Sequence, residues 1–276
     1  MSAQQARAQH AQERLVAALD RHDALAVAVS GGVDSMTLAF VAHRFSRAQI
    51  SMMHAVSPAV PAQATQRVRE YAAREGWDLR VVGAGEFDDP RYRANPVNRC
   101  YFCKTNLYDR IQGLTEHAIA SGANLDDLGD YRPGLKAAAE HAVVHPFVEA
   151  KIDKPHVRLI AHHHGLDDLA ELPAQPCLSS RVETGIAIDA SDLAFIEQAE
   201  NRLAGILPQG ATIRCRITHQ GVVIELGDEA YADAARGIAS ELCQQAGRSF
   251  AGLRNYRRGS AFIGVKESGV KDQALV

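Results

Sequence analysis

The fold is decided by a short stretch near the N-terminus, Ser30-Gly31-Gly32-Val33-Asp34-Ser35. It follows the apolar run Leu25-Ala26-Val27-Ala28-Val29, which is typical of a buried strand, and it precedes a helical stripe of apolar residues. A strand that ends in two glycines and leads into a helix lets backbone N–H groups and the positive helix end share one concavity. The stretch therefore predicts a phosphate site that would accept pyrophosphate. The alternative is a glycine-rich connection in an ordinary α/β domain.

This stretch resembles the PP-loop of the ATP pyrophosphatases, a group that includes asparagine synthetase, GMP synthetase and NAD synthetase. The resemblance implies a Rossmann-like PP-loop domain of the adenine nucleotide alpha hydrolase-like type and AMP-forming chemistry that uses ATP and Mg²⁺. The Gly-x-x-x-x-Gly-Lys-Ser/Thr pattern of the other common phosphate loop occurs nowhere in the chain, so adenylation is favoured over kinase chemistry. The residues implied to hold the phosphates are Ser30, Gly31, Gly32, Asp34 and Ser35.

The composition is that of a folded protein with a large core. The chain has 276 residues, of which 46% are hydrophobic, and its net charge of -3 gives no general attraction to nucleic acid. The first residues form no apolar signal core, and no stretch approaches the roughly 18 apolar residues that cross a bilayer. We therefore expect a cytoplasmic protein with neither nucleic acid nor a membrane as its partner.

Short apolar runs alternate with helical patterns through the first two thirds of the chain, which predicts a parallel α/β sheet. The pattern lapses between Leu166 and Ile188, and so irregular a segment in a compact domain indicates an active-site loop. A helix, a hairpin about Gly221, another helix and a strand then indicate a small α+β domain. We predict a parallel-sheet domain over residues 1–186 and an α+β domain over residues 187–276. The five strands predicted for the first domain are Leu25–Val29, Ile50–Val56, Leu79–Val82, Ala118–Ala120 and Val143–Phe147.

Three cysteines are candidates for metal binding or catalysis. Cys100 and Cys103 form a Cys-x-x-Cys pair, and Cys177 lies in the irregular loop. Three thiolates could bind zinc with a fourth ligand from elsewhere, or an iron–sulfur cluster with one iron open to a non-protein ligand. A redox pair is a further interpretation, because a helix N-terminus lowers the pKa of a thiol. Three unrelated thiols are the alternative, since one Cys-x-x-Cys is only moderately specific.

A polar segment, residues 122–134, follows a short predicted strand at the carboxyl edge of the sheet, where α/β folds bind ligands. Its three aspartates, among them Asp127, are candidate Mg²⁺ ligands, although Mg²⁺ needs only one or two carboxylates beside phosphate oxygens. One of them could instead cap the following helix. Arg132 could direct positive charge towards an adenylate. A plain capped loop is the alternative.

In the small domain, Arg214 and Arg216 flank Cys215 on a predicted strand. Because side chains alternate along a strand, Cys215 is expected in the core and the two arginines on an exposed, anion-binding face. A solvated sheet surface is the alternative interpretation of these arginines.

Four ordered segments together resemble the LarE family, the ATP-dependent sulfurtransferases of nickel-pincer cofactor synthesis, over most of the chain. The resemblance implies that a carboxylate of a pyridinium biscarboxylate mononucleotide is adenylated, that pyrophosphate leaves, and that sulfur then forms a thiocarboxylate. The segments are the phosphate loop, Arg99-Cys100-Tyr101-Phe102-Cys103-Lys104, Asp126-Asp127-Leu128-Gly129-Asp130-Tyr131-Arg132-Pro133-Gly134 and Pro176-Cys177-Leu178-Ser179-Ser180-Arg181.

The resemblance also bears on the sulfur source. One branch of the family takes sulfur from a single sacrificial cysteine, which falls at Cys177 and ends as dehydroalanine. Because Cys100 and Cys103 are present as well, the chain is similar to the relatives in which three cysteines hold a 4Fe-4S cluster, and we expect that version, with sulfide or a cysteine desulfurase as the source.

The family's pattern further implies that Arg181, Arg214 and Arg216 bind the nucleotide substrate, and its precedent leads us to expect a homo-oligomer. The segment 182–185 departs from the family's usual Pro-Tyr-Gly ending after Arg181.

Two other functions are alternatives. A tRNA thiolation enzyme would share the phosphate loop and the cysteines, but it should have a recognisable RNA-binding module or a clearly basic surface, and the sequence shows neither. A non-catalytic nucleotide-binding module would keep the fold and bind ATP without turnover. Release of pyrophosphate would separate such a module from an enzyme.

Overall fold

The computed structural model describes residues 2–129, 133–208 and 210–257. Contacts within it divide the chain into two compact units. The first comprises Met1–Asp89 and Cys100–Gln175, and the second comprises Pro90–Arg99 and Pro176–Val276. The chain thus enters the second unit twice. The domain boundary after residue 186 stays a prediction, and the division by contacts falls earlier in the chain.

Helices and parallel strands alternate through the first unit. Its strands are β1 (Ala24–Ala28), β2 (Gln49–Val56), β3 (Leu79–Gly83) and β4 (Ala118–Ala120). The helices from the N-terminus through residue 170 are α1 (Ala3–Leu19), α2 (Val33–Phe45), α3 (Ala62–Glu75), α4 (Pro90–Arg93), α5 (Arg99–Gln112), α6 (Pro133–Glu140), α7 (Pro146–Glu149), α8 (Lys154–His163) and α9 (Asp167–Ala170). Of these, α4 and the first residue of α5 belong to the second unit.

The strands of the first unit form a parallel sheet in the order β3-β2-β1-β4, which confirms the predicted α/β class. Four of the five predicted strands are present. The fifth, over residues 143–147, was wrong, because this segment forms an isolated bridge between Ala120 and Val144 and then enters α7 at Pro146. Proline lacks the N–H group that a strand needs and suits the first turn of a helix.

Helices cover the sheet of the first unit on both faces. Successive residues of β1 belong to different clusters of buried side chains: Leu25 and Val27 pack with Leu15 of α1, whereas Ala26 packs with Ile111 of α5. Burial on both faces explains why β1 is uniformly apolar in sequence. Because β1 lies between β2 and β4, the phosphate loop begins at the end of a central strand and not of an edge strand.

The second unit is the small α+β domain that the sequence predicts. Strands β5 (Ile213–Thr218) and β6 (Gly221–Leu226) form an antiparallel hairpin, and β7 (Phe250–Asn255) pairs with β6 in parallel. Helices α10 (Ala190–Ala204) and α11 (Ala232–Gln245) pack against this sheet. One face of α10 is apolar and buried, at Leu193, Ile196, Ala199 and Leu203.

Across the described ranges, each helix is either too short or too polar to cross a membrane.

Candidate functional site

The predicted phosphate loop connects the carboxyl end of β1 to the N-terminus of α2. Gly31 has a φ of 82°, in the left-handed region, and a Cβ at this position would lie 2.7 Å from the carbonyl oxygen of Ala64 in α3. Glycine is required here, because any side chain would be both strained and in collision. Gly32 is the N-cap of α2 and has no side chain, so the first N–H groups of that helix are the donors that an anion would use.

The two serines of the loop are bonded to each other. The Ser30 N–H donates to the Ser35 hydroxyl oxygen over 3.0 Å, and the two hydroxyl oxygens are also 3.0 Å apart. Ser35 is buried and donates to the Gly32 carbonyl over 3.2 Å, whereas Ser30 is exposed. Ser35 therefore fixes the shape of the loop, and Ser30 is the serine whose hydroxyl a ligand can reach.

Asp34, in the first turn of α2, has both carboxylate oxygens engaged. The Lys154 Nζ donates to Oδ2 over 2.5 Å, and the Asn124 side-chain amide donates to Oδ1 over 3.2 Å. Lys154 is the first residue of α8, and Asn124 lies in the loop after β4. The carboxylate is thus held in one orientation by groups from two other segments at the same sheet edge.

The loop after β4 supports this arrangement with two aspartates. The Asp127 carboxylate accepts the backbone N–H of Asn124, and the Asp126 carboxylate accepts that of Lys154, each over 3.0 Å. Each aspartate therefore orients a residue that holds Asp34. Asp127 lies at the site, as predicted, but its role as a Mg²⁺ ligand stays a prediction. The predicted Arg132 lies outside the described residues.

Gly122 explains why that loop approaches the phosphate loop so closely. A Cβ at Gly122 would lie 2.8 Å from the backbone nitrogen of Ser35, closer than real Cβ atoms come. The backbones of the two loops are therefore in direct contact, and only glycine permits it.

Arg67, with Asp168 and Tyr71, supports the other side of the phosphate loop. Arg67 of α3 donates to the Gly31 carbonyl over 2.7 Å, and burial lowers the pKa of its guanidinium while the charge of Asp168 opposes that shift. Asp168 accepts the Tyr71 hydroxyl over 2.7 Å, and burial together with this bond raises the pKa of Tyr71. These contacts fix the position of the Gly31 carbonyl, and nothing in the local sequence pattern indicated them.

His54 ties the end of β2 to the residue that precedes the loop. Its Nδ1 lies 2.8 Å from the Val29 carbonyl oxygen, and its Nε2 lies 2.9 Å from the Thr65 hydroxyl. A carbonyl only accepts, so Nδ1 carries the proton and Nε2 accepts from Thr65. The ring is fully buried, and this burial lowers the pKa of His54.

Protonation of His54 is expected to weaken the fold at acidic pH. Its folded-state pKa lies below the usual value of about 6.5, so the unfolded chain binds more protons just below neutrality, and the free energy of unfolding falls as the pH decreases from about 7.5 to about 5.5. In His54→Asn, which can still donate to the Val29 carbonyl, this decline should be shallower. Urea unfolding of both proteins across this range measures it, and identical declines would show that His54 does not contribute.

The Cys-x-x-Cys pair lies at the start of α5. Cys100 is exposed and Cys103 is partly exposed, and a spacing of three residues places them on the same side of the helix. A Cβ at Gly134 would lie 3.7 Å from the Cys100 carbonyl oxygen, so the start of α6 packs against this turn. The two thiols can therefore act on one ligand.

Cys177, in the second unit, is exposed and immediately precedes a 3₁₀ helix over Leu178–Arg181. The Arg181 Nη1 donates to the carbonyl oxygens of Pro176 over 2.5 Å and of Cys177 over 3.1 Å. Its Nε and Nη2 donate to the two carboxylate oxygens of Glu200 on α10, each over 3.0 Å. The buried guanidinium thus fixes the backbone of Cys177 to α10. The predicted role of Arg181 in substrate binding stays a prediction.

Removal of the Arg181 guanidinium is expected to destabilise the second unit and release the Cys177 segment. Arg181→Met leaves Glu200 without its buried partner, and breaking such a pair costs about 3–5 kcal/mol. Chemical unfolding measures the loss, and the rate of thiol alkylation at Cys177, followed by peptide mass spectrometry, should rise. The matched control is Arg202→Met, which changes an exposed arginine on α10, the helix that carries Glu200. An unfolding free energy for Arg181→Met within about 1 kcal/mol of the control would contradict the account.

The segment before Cys100 and the segment after Cys177 share one hydrogen-bond network in the second unit. The hydroxyl oxygens of Tyr92 and Ser179 are 2.6 Å apart. The buried Asn95 amide donates to the carbonyls of Glu183 and Ile186, each over 2.9 Å. Arg99, also buried, donates to the side-chain oxygen Oδ1 of Asn95 over 2.9 Å. The Asn95 side chain therefore holds the segment 182–185.

The predicted core position of Cys215 is confirmed, but the exposed face predicted for the arginines is wrong for Arg216. Arg216 is 5% exposed and donates to Glu225 over 2.8 Å, while Arg254 donates to the other oxygen of Glu225 over 2.9 Å. Glu225 is fully buried on β6, and a buried carboxylate needs cationic partners. Arg214 is half-buried, which lowers its pKa. The anion-binding roles of Arg214 and Arg216 stay predictions.

The donor chemistry of the cysteines suits iron or zinc, but the described residues contain no group of three His, Cys, Asp or Glu side chains arranged to hold a metal ion. Cys100 and Cys103 provide two thiolates in the first unit, and Cys177 provides one in the second. A three-cysteine ligand set therefore stays a proposal.

Comparison of the sequence with those of known proteins finds relatives of the chain. No family model matches it. The uncharacterized protein slr1717 of Synechocystis sp. is 39% identical over 182 residues, which are 64% of this chain and 68% of that protein. The chain belongs to the slr1717 family. The uncharacterized protein MJ0830 of Methanocaldococcus jannaschii is 28% identical over 207 residues, or 74% of this chain and 77% of that protein.

One relative of this slr1717-family chain has a named activity. It is the pyridinium-3,5-bisthiocarboxylic acid mononucleotide synthase of Lactiplantibacillus plantarum, 27% identical over 225 residues, which are 79% of this chain and 80% of the synthase. This similarity supports the resemblance to the LarE family that the sequence motifs indicate.

The sequence analysis missed four residues that hold the phosphate loop or the Cys177 segment in place. They are Arg67, Asn124, Lys154 and Glu200. Each acts on a residue far along the chain, and their contacts depend on the folded topology. Asn124 lay inside a segment already selected for its polar character. Lys154 follows Asp153, the N-cap of α8, and this position beside a sheet edge was the available signal.

Proposed function

We propose that this protein is an ATP-dependent sulfurtransferase that adenylates a carboxylate of pyridinium-3,5-biscarboxylic acid mononucleotide and converts it to a thiocarboxylate. The observation that carries the proposal is the phosphate loop with its fixed Asp34, in a chain related to a named bisthiocarboxylate synthase. A role in sulfur transfer related to that of the synthase rests on the same sequence similarity.

The first step activates the carboxylate. One of its oxygens attacks the α-phosphorus of ATP, the bond to the bridging oxygen breaks, and pyrophosphate leaves. The N–H groups at the start of α2 and the exposed Ser30 hydroxyl are proposed to stabilise the charge that develops on the leaving group. When bound, Mg²⁺ would spread that charge, and Asp34 and Asp127 are the carboxylates proposed to hold it.

The second step transfers sulfur. A sulfide nucleophile attacks the activated carbonyl, the carbon–oxygen bond to AMP breaks, and the thiocarboxylate and AMP are released. If the nucleophile is instead the Cys177 thiolate, AMP leaves and a thioester forms, and the Cβ–Sγ bond must then break with loss of the Cα proton to release the thiocarboxylate and leave dehydroalanine. Cys177 is proposed to act here, because it is exposed while its backbone is fixed by Arg181. Fixing the backbone and leaving the thiol accessible is the arrangement that a group delivering sulfur needs.

For the sulfur source, we propose that Cys100, Cys103 and Cys177 together hold a 4Fe-4S cluster, which would supply a sulfide bound at its open iron. The alternative is that Cys177 gives up its own sulfur and becomes dehydroalanine. Iron and acid-labile sulfide should be measured in anaerobically reconstituted protein beside three alanine variants, one for each cysteine. Loss of the cluster in every variant supports three-cysteine ligation, and no cluster in the parent protein would favour the sacrificial thiol or zinc.

The remaining partner assignments follow from the same proposal. The substrate is a small-molecule nucleotide, the sulfur comes from sulfide or a cysteine desulfurase, and the protein assembles as a homo-oligomer that binds neither nucleic acid nor membrane. A tRNA thiolation enzyme is the second candidate, and it is disfavoured by the net charge of -3.

The activity is tested by incubating the purified protein with Mg-ATP, the biscarboxylate nucleotide and sulfide. We expect AMP and pyrophosphate in amounts that depend on the nucleotide, and a product in which mass spectrometry finds sulfur in place of a carboxylate oxygen. Nicotinamide mononucleotide, whose ring carries an amide instead of a carboxylate, is the matched control and should give neither. Formation of ADP, or AMP formation that ignores the carboxylate, would contradict the proposal.

A further inference from the structure

The phosphate loop has a row of backbone N–H groups that no protein acceptor uses. Among the described residues, the N–H groups of residues 31–35 find no acceptor, whereas those of Ser30 and Met36, on either side, are bonded within the loop. Unused donors at a helix N-terminus are suited to an anion. Three of the five belong to α2, so the regular backbone of the helix sets their directions.

The peptide between Gly31 and Gly32 is the part of this row that the local sequence constrains least. Neither residue has a side chain, and Gly31 has a φ of 82°, in the left-handed region. Two successive glycines permit more than one orientation of the peptide that joins them. A contact from elsewhere in the fold must therefore fix the direction of the Gly32 N–H.

Arg67 of α3 supplies that contact. Its Nη1 donates to the Gly31 carbonyl oxygen over 2.7 Å. The peptide is trans, and in a trans peptide the carbonyl and the N–H that follows it point in opposite directions. A carbonyl held towards Arg67 therefore holds the Gly32 N–H away from it. A bond from a charged guanidinium is about twice as strong as one between neutral groups, and it polarises the peptide, so the N–H becomes a better donor.

The Arg67 guanidinium is itself supported from α3 and α9. It is partly buried, and the negative charge of Asp168 stabilises its charged form. Asp168 in turn accepts the hydroxyl of Tyr71 over 2.7 Å, and Tyr71 is buried. Because these groups restrict the guanidinium, its bond to the loop can hold one orientation of the peptide before a ligand arrives.

We propose that Arg67 is a positioning residue of the phosphate loop, which holds the Gly31 carbonyl and thereby directs the Gly32 N–H to the pyrophosphate that leaves during adenylation. Arg67 acts through the peptide and not by contact with a phosphate. This inference rests on the proposed function and adds to it the residue that sets the direction of one phosphate donor. Lys154, in contrast, holds the side chain of Asp34.

The test follows single backbone amides by NMR in the whole protein, because the sequence permits their selective detection. Gly31-Gly32 is the one Gly-Gly pair of the chain, and Asp34-Ser35 is the one Asp-Ser pair. Labelling the carbonyl of the first residue type with ¹³C and the amide of the second with ¹⁵N therefore isolates the signals of Gly32 and Ser35. Each protein is saturated with inorganic pyrophosphate and Mg²⁺, without a carboxylate substrate or a sulfur source.

We expect pyrophosphate to shift both signals in the parent. In Arg67→Met the Gly32 shift should be lost while the Ser35 shift remains, since Ser35 is positioned by α2. Calorimetry should find pyrophosphate affinity about 10-fold weaker in this variant, because one hydrogen bond to a charged group is lost. Arg67→Lys, which keeps a charged donor, should recover most of both effects. Arg69→Met, which changes an exposed arginine of the same helix, is the control and should behave as the parent does.

Three outcomes overturn the inference. In the parent, pyrophosphate could shift the Ser35 signal and leave that of Gly32 unchanged, a result that needs no variant to fold. Arg67→Met could keep the parent's affinity and Gly32 shift. It could also lose the Gly32 and Ser35 shifts equally, which would indicate only a structural role.

Failure of the proposed function is distinguishable from failure of this inference. No pyrophosphate binding by the parent would contradict the phosphate loop itself, and with it both proposals. Because the assay omits the carboxylate substrate and the sulfur source, a wrong substrate assignment would leave the selective loss of the Gly32 shift in Arg67→Met intact.

Discussion

Asp34→Ala is expected to lower the rate of AMP formation by at least about 100-fold. Asp34 is the one charged side chain of the phosphate loop, and it is held by Lys154 and Asn124 in a fixed orientation. Its loss removes a proposed Mg²⁺ ligand and leaves Lys154 without the partner that places its ammonium group. The rate of AMP release in the presence of saturating Mg-ATP and substrate measures the effect.

The matched control for Asp34→Ala is Asp78→Ala, an exposed aspartate of the same unit that lies before β3. It should keep the parent rate. Thermal unfolding of Asp34→Ala should stay close to that of the parent, because a partly exposed ion pair adds only about 0–1 kcal/mol. An Asp34→Ala protein that folds normally and forms AMP within a few-fold of the parent rate would show that this loop is not the phosphate site.

Cys177→Ala is expected to separate the two half-reactions. The variant should still release pyrophosphate and retain the acyl-adenylate, but form no thiocarboxylate product. The physical reason is that the Cys177 thiol is exposed, whereas the bond from Arg181 goes to the backbone carbonyl of Cys177 and survives the change to alanine. Parallel assays of pyrophosphate and of the sulfur-containing product measure the separation.

Cys243→Ala, which removes another thiol of the same unit, is the control and should retain both half-reactions. An equal loss of pyrophosphate release and sulfur transfer in Cys177→Ala would contradict the assigned division of roles. Normal product formation by Cys177→Ala would remove this cysteine from the mechanism altogether.

The fold of the first unit could be predicted from sequence because its signals are local. The central strand β1 is buried on both faces and is therefore uniformly apolar, and Gly31 and Gly32 mark the turn into α2. The error at residues 143–147 has a local cause as well. The run was apolar enough for a strand, but Pro146 starts a helix.

The site could be predicted only in part, because its remaining components depend on contacts across the fold. The sequence alone identified Asp34, but the lysine that holds it lies 120 residues further on. The sequence also identified Arg181 and Arg216 as basic residues without showing that carboxylates face them, the partly buried Glu200 and the fully buried Glu225. Charge along a strand or loop does not reveal burial, since burial is set by the elements that pack against it.

The assignment of residues 90–99 to the second unit also depends on contacts across the fold, so the sequence did not predict it. These residues precede Cys100 in the chain, yet their contacts lie in the second unit, through the buried Asn95 and Tyr92. A boundary chosen from composition assumes that each domain is one continuous stretch, and here the chain enters the second unit twice. Asparagine and tyrosine in a polar segment give no sequence signal of such a crossing.

The central claim is that ATP activates the substrate by adenylating its carboxylate, and oxygen-isotope transfer tests it most directly. The biscarboxylate nucleotide, labelled with ¹⁸O in its carboxylates, should be incubated with the protein, Mg-ATP and sulfide, and the nucleotide products analysed by mass spectrometry. The account predicts AMP that carries one ¹⁸O atom from the substrate for each sulfur atom incorporated. Unlabelled AMP, or ADP as the product, would contradict it.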